Sequence, residues 1–126
     1  MTIMPIPYND IGREKLYEMI DIFYGYVGND ERINHLFPED LTETAYKQKL
    51  FQTQFLGGPN LYMEEYGHPM LKARHNPFRI TPKAKDAWLE NMDKAMDDVG
   101  LDGDLRTFIM KRYEMTANHM VNTIEE

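Results

Sequence analysis

Along nearly the whole chain, apolar residues recur three and four positions apart, and glycine or proline cuts the runs into pieces of helix length. That spacing gathers side chains on one face of a helix, whereas a half-buried strand needs strict alternation. No sustained alternation of β-branched residues occurs, and no Asn-Gly or Asp-Gly turn separates two alternating runs. The chain therefore reads as all-α.

The first helix is expected over 9–28, with Asn9 or Asp10 as N-cap, Leu16, Ile20, Phe23, Tyr24 and Val27 on one face, and a stop near Gly28. A short segment at 30–36 ends before Pro38, because proline disfavours helical backbone in the residue ahead of it. Over 41–56 one face carries Leu41, Thr44, Gln48, Phe51 and Phe55, and Gly57-Gly58-Pro59 halts it. Thr44 and Gln48 on that stripe read either as the edge of a slightly rotated helix or as the polar wall of a pocket. Residues 57–68 look like a turn-rich connection. Pro69 then reads as a first-turn proline, and Pro77 closes a helix of barely two turns with His75 near its end. Thr81-Pro82 supplies an N-cap and first-turn proline for a helix to Val99, with Ala84, Trp88, Met92, Ala95, Met96 and Val99 inward and Gly100 as its stop. The last helix, 102–124, turns Leu105, Phe108, Ile109, Met120 and Ile124 inward. Periodicity alone leaves a four-helix bundle and a globin open. The long irregular stretch before a short His-bearing helix leans away from a bundle, whose connections run about 2 to 8 residues.

The 126 residues are expected to form one domain, 1–126, and 42% hydrophobic content with interleaved charge supports a packed core rather than disorder. A net charge of −7 argues against nucleic acid or an anionic membrane surface as partner. With no leader-like start and no apolar run of spanning length, a cytoplasmic location is expected. Zero cysteine removes disulfides, thiolate ligands and Cys nucleophiles, so any metal must be held by His, carboxylate, Tyr or Met.

Four histidines remain, His35, His68, His75 and His119, and none pairs with another at ligand spacing. A zinc or di-iron site is thus poorly supported. By spacing alone each reads as an ordinary surface or core histidine. His75 stands out only because Arg74 precedes it and the rigid Asn76-Pro77 turn follows. Tyr24 and Trp88 would each bury a donor, and core filling with a local acceptor is the commoner outcome. The ten methionines read as adaptable core filling, and Asp97-Asp98 and Glu64-Glu65 as solvated faces.

Several motifs in order carry a resemblance: Phe23-Tyr24; Leu36-Phe37-Pro38-Glu39-Asp40-Leu41; Gln54-Phe55-Leu56-Gly57-Gly58-Pro59 with Tyr62; Gly67-His68-Pro69-Met70-Leu71-Lys72-Ala73-Arg74-His75; Pro77-Phe78-Arg79-Ile80; and Asp86-Ala87-Trp88-Leu89. Over nearly its whole length the chain resembles the group II truncated haemoglobins. The resemblance implies a two-on-two helical sandwich around one haem b per chain, and without cysteine no thioether attachment. It puts the proximal iron ligand at His75, the distal tyrosine at Tyr24, the group-marking tryptophan at Trp88 and the two distal helix positions at Thr44 and Gln48. Those two positions vary within the family, and Thr with Gln makes this pocket one of its more polar variants. Phe37 falls where members carry Phe or Tyr. Lys47, Tyr62 and Arg74 match positions that tend to meet the haem propionates.

A neutral His75 bound through Nε2 needs an acceptor for its Nδ1 proton, and the carbonyl of Leu71, one turn back, is the natural candidate. Donors from Tyr24, Gln48 and Trp88 would favour the liganded state, which implies tight, slowly released O₂ and binding of CO and NO. The alternative is a haem redox enzyme, a nitric oxide dioxygenase or weak peroxidase, which would draw on an external reductase docked to the acidic surface. A third reading, a helical interaction module without haem, would give a colourless protein.

Overall fold

The computed structural model describes residues 6–75 and 77–124, Lys72 by its backbone alone. Residues 1–5, Asn76, Glu125 and Glu126, which the one-domain reading includes, lie outside the described residues. Seven α-helices and one 3₁₀ turn make up the regular structure there, with no strand among the described residues.

The chain does not open with one helix from residue 9. Helix α1 (Pro7–Ile11) and helix α2 (Arg13–Gly28) are split at Gly12, whose φ of +82° is a conformation that a residue with a side chain avoids. Neither begins at a side-chain cap from Asn9 or Asp10. The expected inner face of α2 is buried in full and gains Met19. After it, the short segment contracts to a 3₁₀ turn at Asn34–Leu36, and Phe37 is already extended ahead of Pro38.

Helix α3 (Thr42–Phe55) departs from its expected orientation. Its buried residues are Ala45, Leu50, Gln52 and Thr53, whereas Leu41, Thr44, Gln48, Phe51 and Phe55 are half-buried. All of the latter but Leu41 face a cavity rather than solid core. The Gly57-Gly58 turn that ends α3 is required by close approach. A Cβ on Gly58 would lie 2.6 Å from the Tyr8 ring and 2.9 Å from the Thr53 carbonyl, at the point where the Tyr8 amide donates to Leu56 O at 2.9 Å.

Residues 57–68 are not simply a connection, since Leu61–Tyr66 forms helix α4, which buries Tyr62 and sets its ring 5.2 Å from that of Tyr66. Pro69 is not a first-turn proline either. Helix α5 (Leu71–His75) starts two residues later, after Met70 at a φ of +49°. Helix α6 (Pro82–Asp98) follows the sequence closely: Thr81 Oγ1 accepts from the Ala84 amide at 3.1 Å, Pro82 opens the first turn, and Gly100 follows its end with a φ of +71°. Helix α7 (Gly103–Met120) is shorter than expected. Ile124 is 89% exposed beyond its end, and Phe108 is 46% exposed because the inner face runs through Leu105, Ile109 and Tyr113, which leaves Phe108 turned away from it.

Helix α2 makes its most extensive contact with α6 and also packs on α3, while α6 packs on α7 and α3 on α4. The core between them holds Leu16, Met19, Ile20, Phe23, Met92, Met96 and Ile109, all fully buried. Arg106 on α7 pairs with Asp93 and Asp97 on α6. Asp97, Asp98, Glu64 and Glu65 are all exposed, as read from the sequence, and within those faces Asp98 accepts from the Tyr26 hydroxyl and Glu65 from that of Tyr46. No helix among the described residues is long and apolar enough to cross a membrane.

Candidate functional site

At the end of α5, His75 is half-buried, and its Nδ1 lies 2.7 Å from the carbonyl oxygen of Leu71. That is the bond expected from helical geometry, one turn back. A carbonyl can only accept, so Nδ1 carries a proton, and in the neutral imidazole Nε2 is then the nitrogen with the free lone pair. His75 therefore has the tautomer and the oriented ring that a metal-ligating histidine needs.

His75 lines a cavity of about 430 Å³, inside the range of roughly 300 to 1,000 Å³ typical of cofactor and ligand sites. Six further candidates line the same cavity: Tyr24 from α2, Thr44, Lys47 and Gln48 from α3, Arg74 from α5 and Trp88 from α6. The eighth, Tyr62, is not among the lining residues. It is buried behind the wall, with its ring 5.9 Å from that of Phe51 and the Arg74 guanidinium 5.8 Å above it.

Aromatic packing sets the distal groups. Phe23 lies edge-on to both Tyr24 and Trp88, at 4.9 Å in each case, and Tyr24 meets Phe37 at 5.9 Å. Contacts of this kind fix ring orientation as well as burying area. Tyr24 is only 6% exposed, and burial alone pushes its hydroxyl above the ordinary tyrosine value. It is thus a protonated donor at neutral pH.

Sequence reasoning missed two polar residues of this wall. Gln52 and Tyr113 are each 2% exposed, both line the cavity, and Gln52 Oε1 and the Tyr113 hydroxyl have no hydrogen-bond partner among the described residues. Gln52 sits one turn beyond Gln48, and Tyr113 stacks on Phe55 at 6.0 Å. The continuation of the Thr44, Gln48 spacing by a further four residues was the available signal for Gln52. Tyr113 carries no local signal, since a tyrosine on an inner face reads as core.

Among the described residues no three His, Cys, Asp or Glu side chains converge as a metal site. A single imidazole holds a metal firmly only where a cofactor brings the remaining ligands, and haem is such a cofactor. The residues present fit it: one histidine with Nε2 basic, walls of Phe37, Phe51, Phe55 and Trp88, and the cations Lys47 and Arg74 for its carboxylates. Lys47 also pairs with Glu43 at 3.2 Å and lies 5.3 Å over the Tyr66 ring.

Residues 7–122 match the family model described as bacterial-like globin. Over 119 residues the chain is 56% identical to a group 2 truncated hemoglobin of Bacillus subtilis, covering 94% of this chain and 90% of that protein. Among solved structures, it is similar to the group II truncated hemoglobin of Bacillus anthracis, with a TM-score of 0.93, 54% identity and coverage of 94% and 98% of the two chains. A truncated oxygen-avid haemoglobin from Bacillus subtilis superposes with a TM-score of 0.91 at 56% identity, covering 94% of this chain and all of that one. The two-on-two arrangement of α2 and α3 with α6 and α7, the histidine-lined cavity and these likenesses agree: the chain belongs to the bacterial-like globins, as a haem-binding truncated haemoglobin of group II.

Proposed function

We propose that residues 1–126 act as one cytoplasmic globin domain that holds a single haem b through His75 Nε2 and binds O₂, CO and NO reversibly, taking O₂ with high affinity and releasing it slowly. The observation that carries this is the pairing, in one cavity, of an oriented histidine with a buried, protonated tyrosine hydroxyl. The oxygen-avid character of the similar Bacillus subtilis haemoglobin supports the same direction.

When bound, haem iron supplies the coordination position that a diatomic ligand takes. The chain's own residues do the rest. His75 holds the iron, with Leu71 O keeping its ring in one tautomer. Lys47 and Arg74 would hold the cofactor's carboxylates, with Tyr62 supporting Arg74 from behind. Tyr24, Gln48 and Trp88 line the cavity as donors that would hold the bound ligand, and Thr44 completes that wall. Each well-placed donor in a dry pocket contributes about 1 to 3 kcal/mol, so two together slow release by a factor on the order of 30 to 10,000.

Stopped-flow O₂ dissociation tests this directly. Tyr24→Phe and Gln48→Leu are each expected to speed release roughly tenfold or more. Rates unchanged in both variants, and in Trp88→Phe, would remove donor stabilisation as the basis of tight binding. No specific feature of the described residues favours redox turnover with an external reductase over ligand binding.

A further inference from the structure

Helix α5 is a single short turn, and His75 is its last residue. Isolated helices under about 12 residues are marginal, so a five-residue helix cannot hold a side chain rigidly by itself. The carbonyls at its end lack helical partners and need others. His75 O accepts from the Phe78 amide at 3.0 Å, and further partners for this stretch come from the far end of the chain. Past the end of α7, Asn122 Nδ2 donates to Phe78 O at 2.9 Å and to His75 O at 3.4 Å, while its Oδ1 accepts from the Ile80 amide at 2.9 Å. The backbone amides of Asn122 and Thr123 both donate to Ile80 O, at 3.0 and 3.1 Å.

We infer that Asn122 is a positioning residue for His75, acting through the backbone of the segment that follows it, and that it thereby sets the strain and orientation of the iron–histidine bond. The inference rests on the reading of His75 as haem ligand. One side chain supplies donors to the carbonyls of His75 and Phe78 and an acceptor to the Ile80 amide, a pattern only a carboxamide satisfies in full. Ile80, held at both its amide and its carbonyl, is buried and lines the same cavity as His75. Asn122 therefore ties the last carbonyl of α5 to Phe78 and to one piece of the cavity wall. The two backbone bonds to Ile80 O do not involve the Asn122 side chain, so variants at this position are expected to keep the chain end in place.

Resonance Raman of the ferrous holoprotein reads the iron–histidine stretch directly. In Asn122→Ala this band is expected to shift or broaden, with haem transfer to an excess of apo-globin acceptor faster by roughly two- to tenfold. Asn122→Asp keeps the acceptor for the Ile80 amide but loses the donors to His75 and Phe78, and the band is expected to move there too. A variant whose melting temperature falls while the band stays put would make Asn122 merely structural and overturn the inference. Band and haem release both unchanged would overturn it as well. If the wild-type protein shows no iron–histidine band, the fault lies one step earlier, in the assignment of His75, and the inference falls with it.

Discussion

Buried at the cavity wall, the Tyr113 hydroxyl and Gln52 Oε1 are polar atoms without a partner among the described residues. A polar group left in that state costs about 1 to 3 kcal/mol relative to a satisfied one. Burial alone raises the Tyr113 hydroxyl above its ordinary value, so it stays protonated and gains nothing from ionising. Tyr113→Phe keeps the stack on Phe55 and the edge contact with Trp88 at 5.3 Å, and it is expected to raise the melting temperature of the holoprotein by a few degrees. A fall would mean that the hydroxyl is paired when haem is in place. At this scale His75, Tyr24, Trp88, Thr44 and Gln48 were legible because motifs or an odd polar residue on an apolar stripe marked them. Tyr113, Gln52 and Asn122 were not. Gln52 continues the Thr44, Gln48 spacing by one more turn, a signal the reading did not use, whereas the significance of Tyr113 and Asn122 depends on what other elements bring beside them, which no local spacing encodes.

Between α2 and α3 the chain has little regular structure, and a polar knot holds it to α6. Arg32 pairs with Asp30 at 2.8 Å and with Glu90 at 3.0 Å, and the buried Asn91 donates to Asp30 at 3.0 Å. The hydrogen bond from Arg32, assisted by Asn91 and the Arg32 amide, holds the Asp30 carboxyl well below the usual carboxylate range. A lowered folded value contributes stability above the ordinary aspartate value of about 3.9 and loses it as pH falls below that, through the folded value. The melting-temperature gap between wild type and Asp30→Asn is therefore expected to be full from about pH 5 to 7 and to narrow below about pH 4. A gap that stays constant down to about pH 3 would remove Asp30 ionisation as its source. The long helices were readable because their apolar stripes repeat over several turns and glycine ends α2 and follows α3 and α6, whereas α7, with neither glycine nor proline after Met120, was read too long. Helix α4 was hidden because six residues do not complete two turns, and the α1–α2 break was hidden because Gly12 interrupts a stripe that continues on both sides.

Across the whole molecule, the two helix pairs leave one side of α3 unfilled, and that space is the cavity. The half-burial of Thr44, Gln48, Phe51 and Phe55 is its direct consequence: a face that reads as core in sequence is lined up for a cofactor. Periodicity could not distinguish a helix face that packs on protein from one that packs on haem, because both are apolar stripes at the same spacing. The motif order around His75 and Trp88 resolved that ambiguity, through resemblance rather than through pattern. The central claim is that His75 Nε2 holds the iron, and the most direct measurement is the ferrous absorption spectrum of His75→Gly, with and without added imidazole, beside that of wild type. Loss of the five-coordinate ferrous band in the variant and its return with imidazole are expected; a variant spectrum identical to wild type without imidazole would contradict the account.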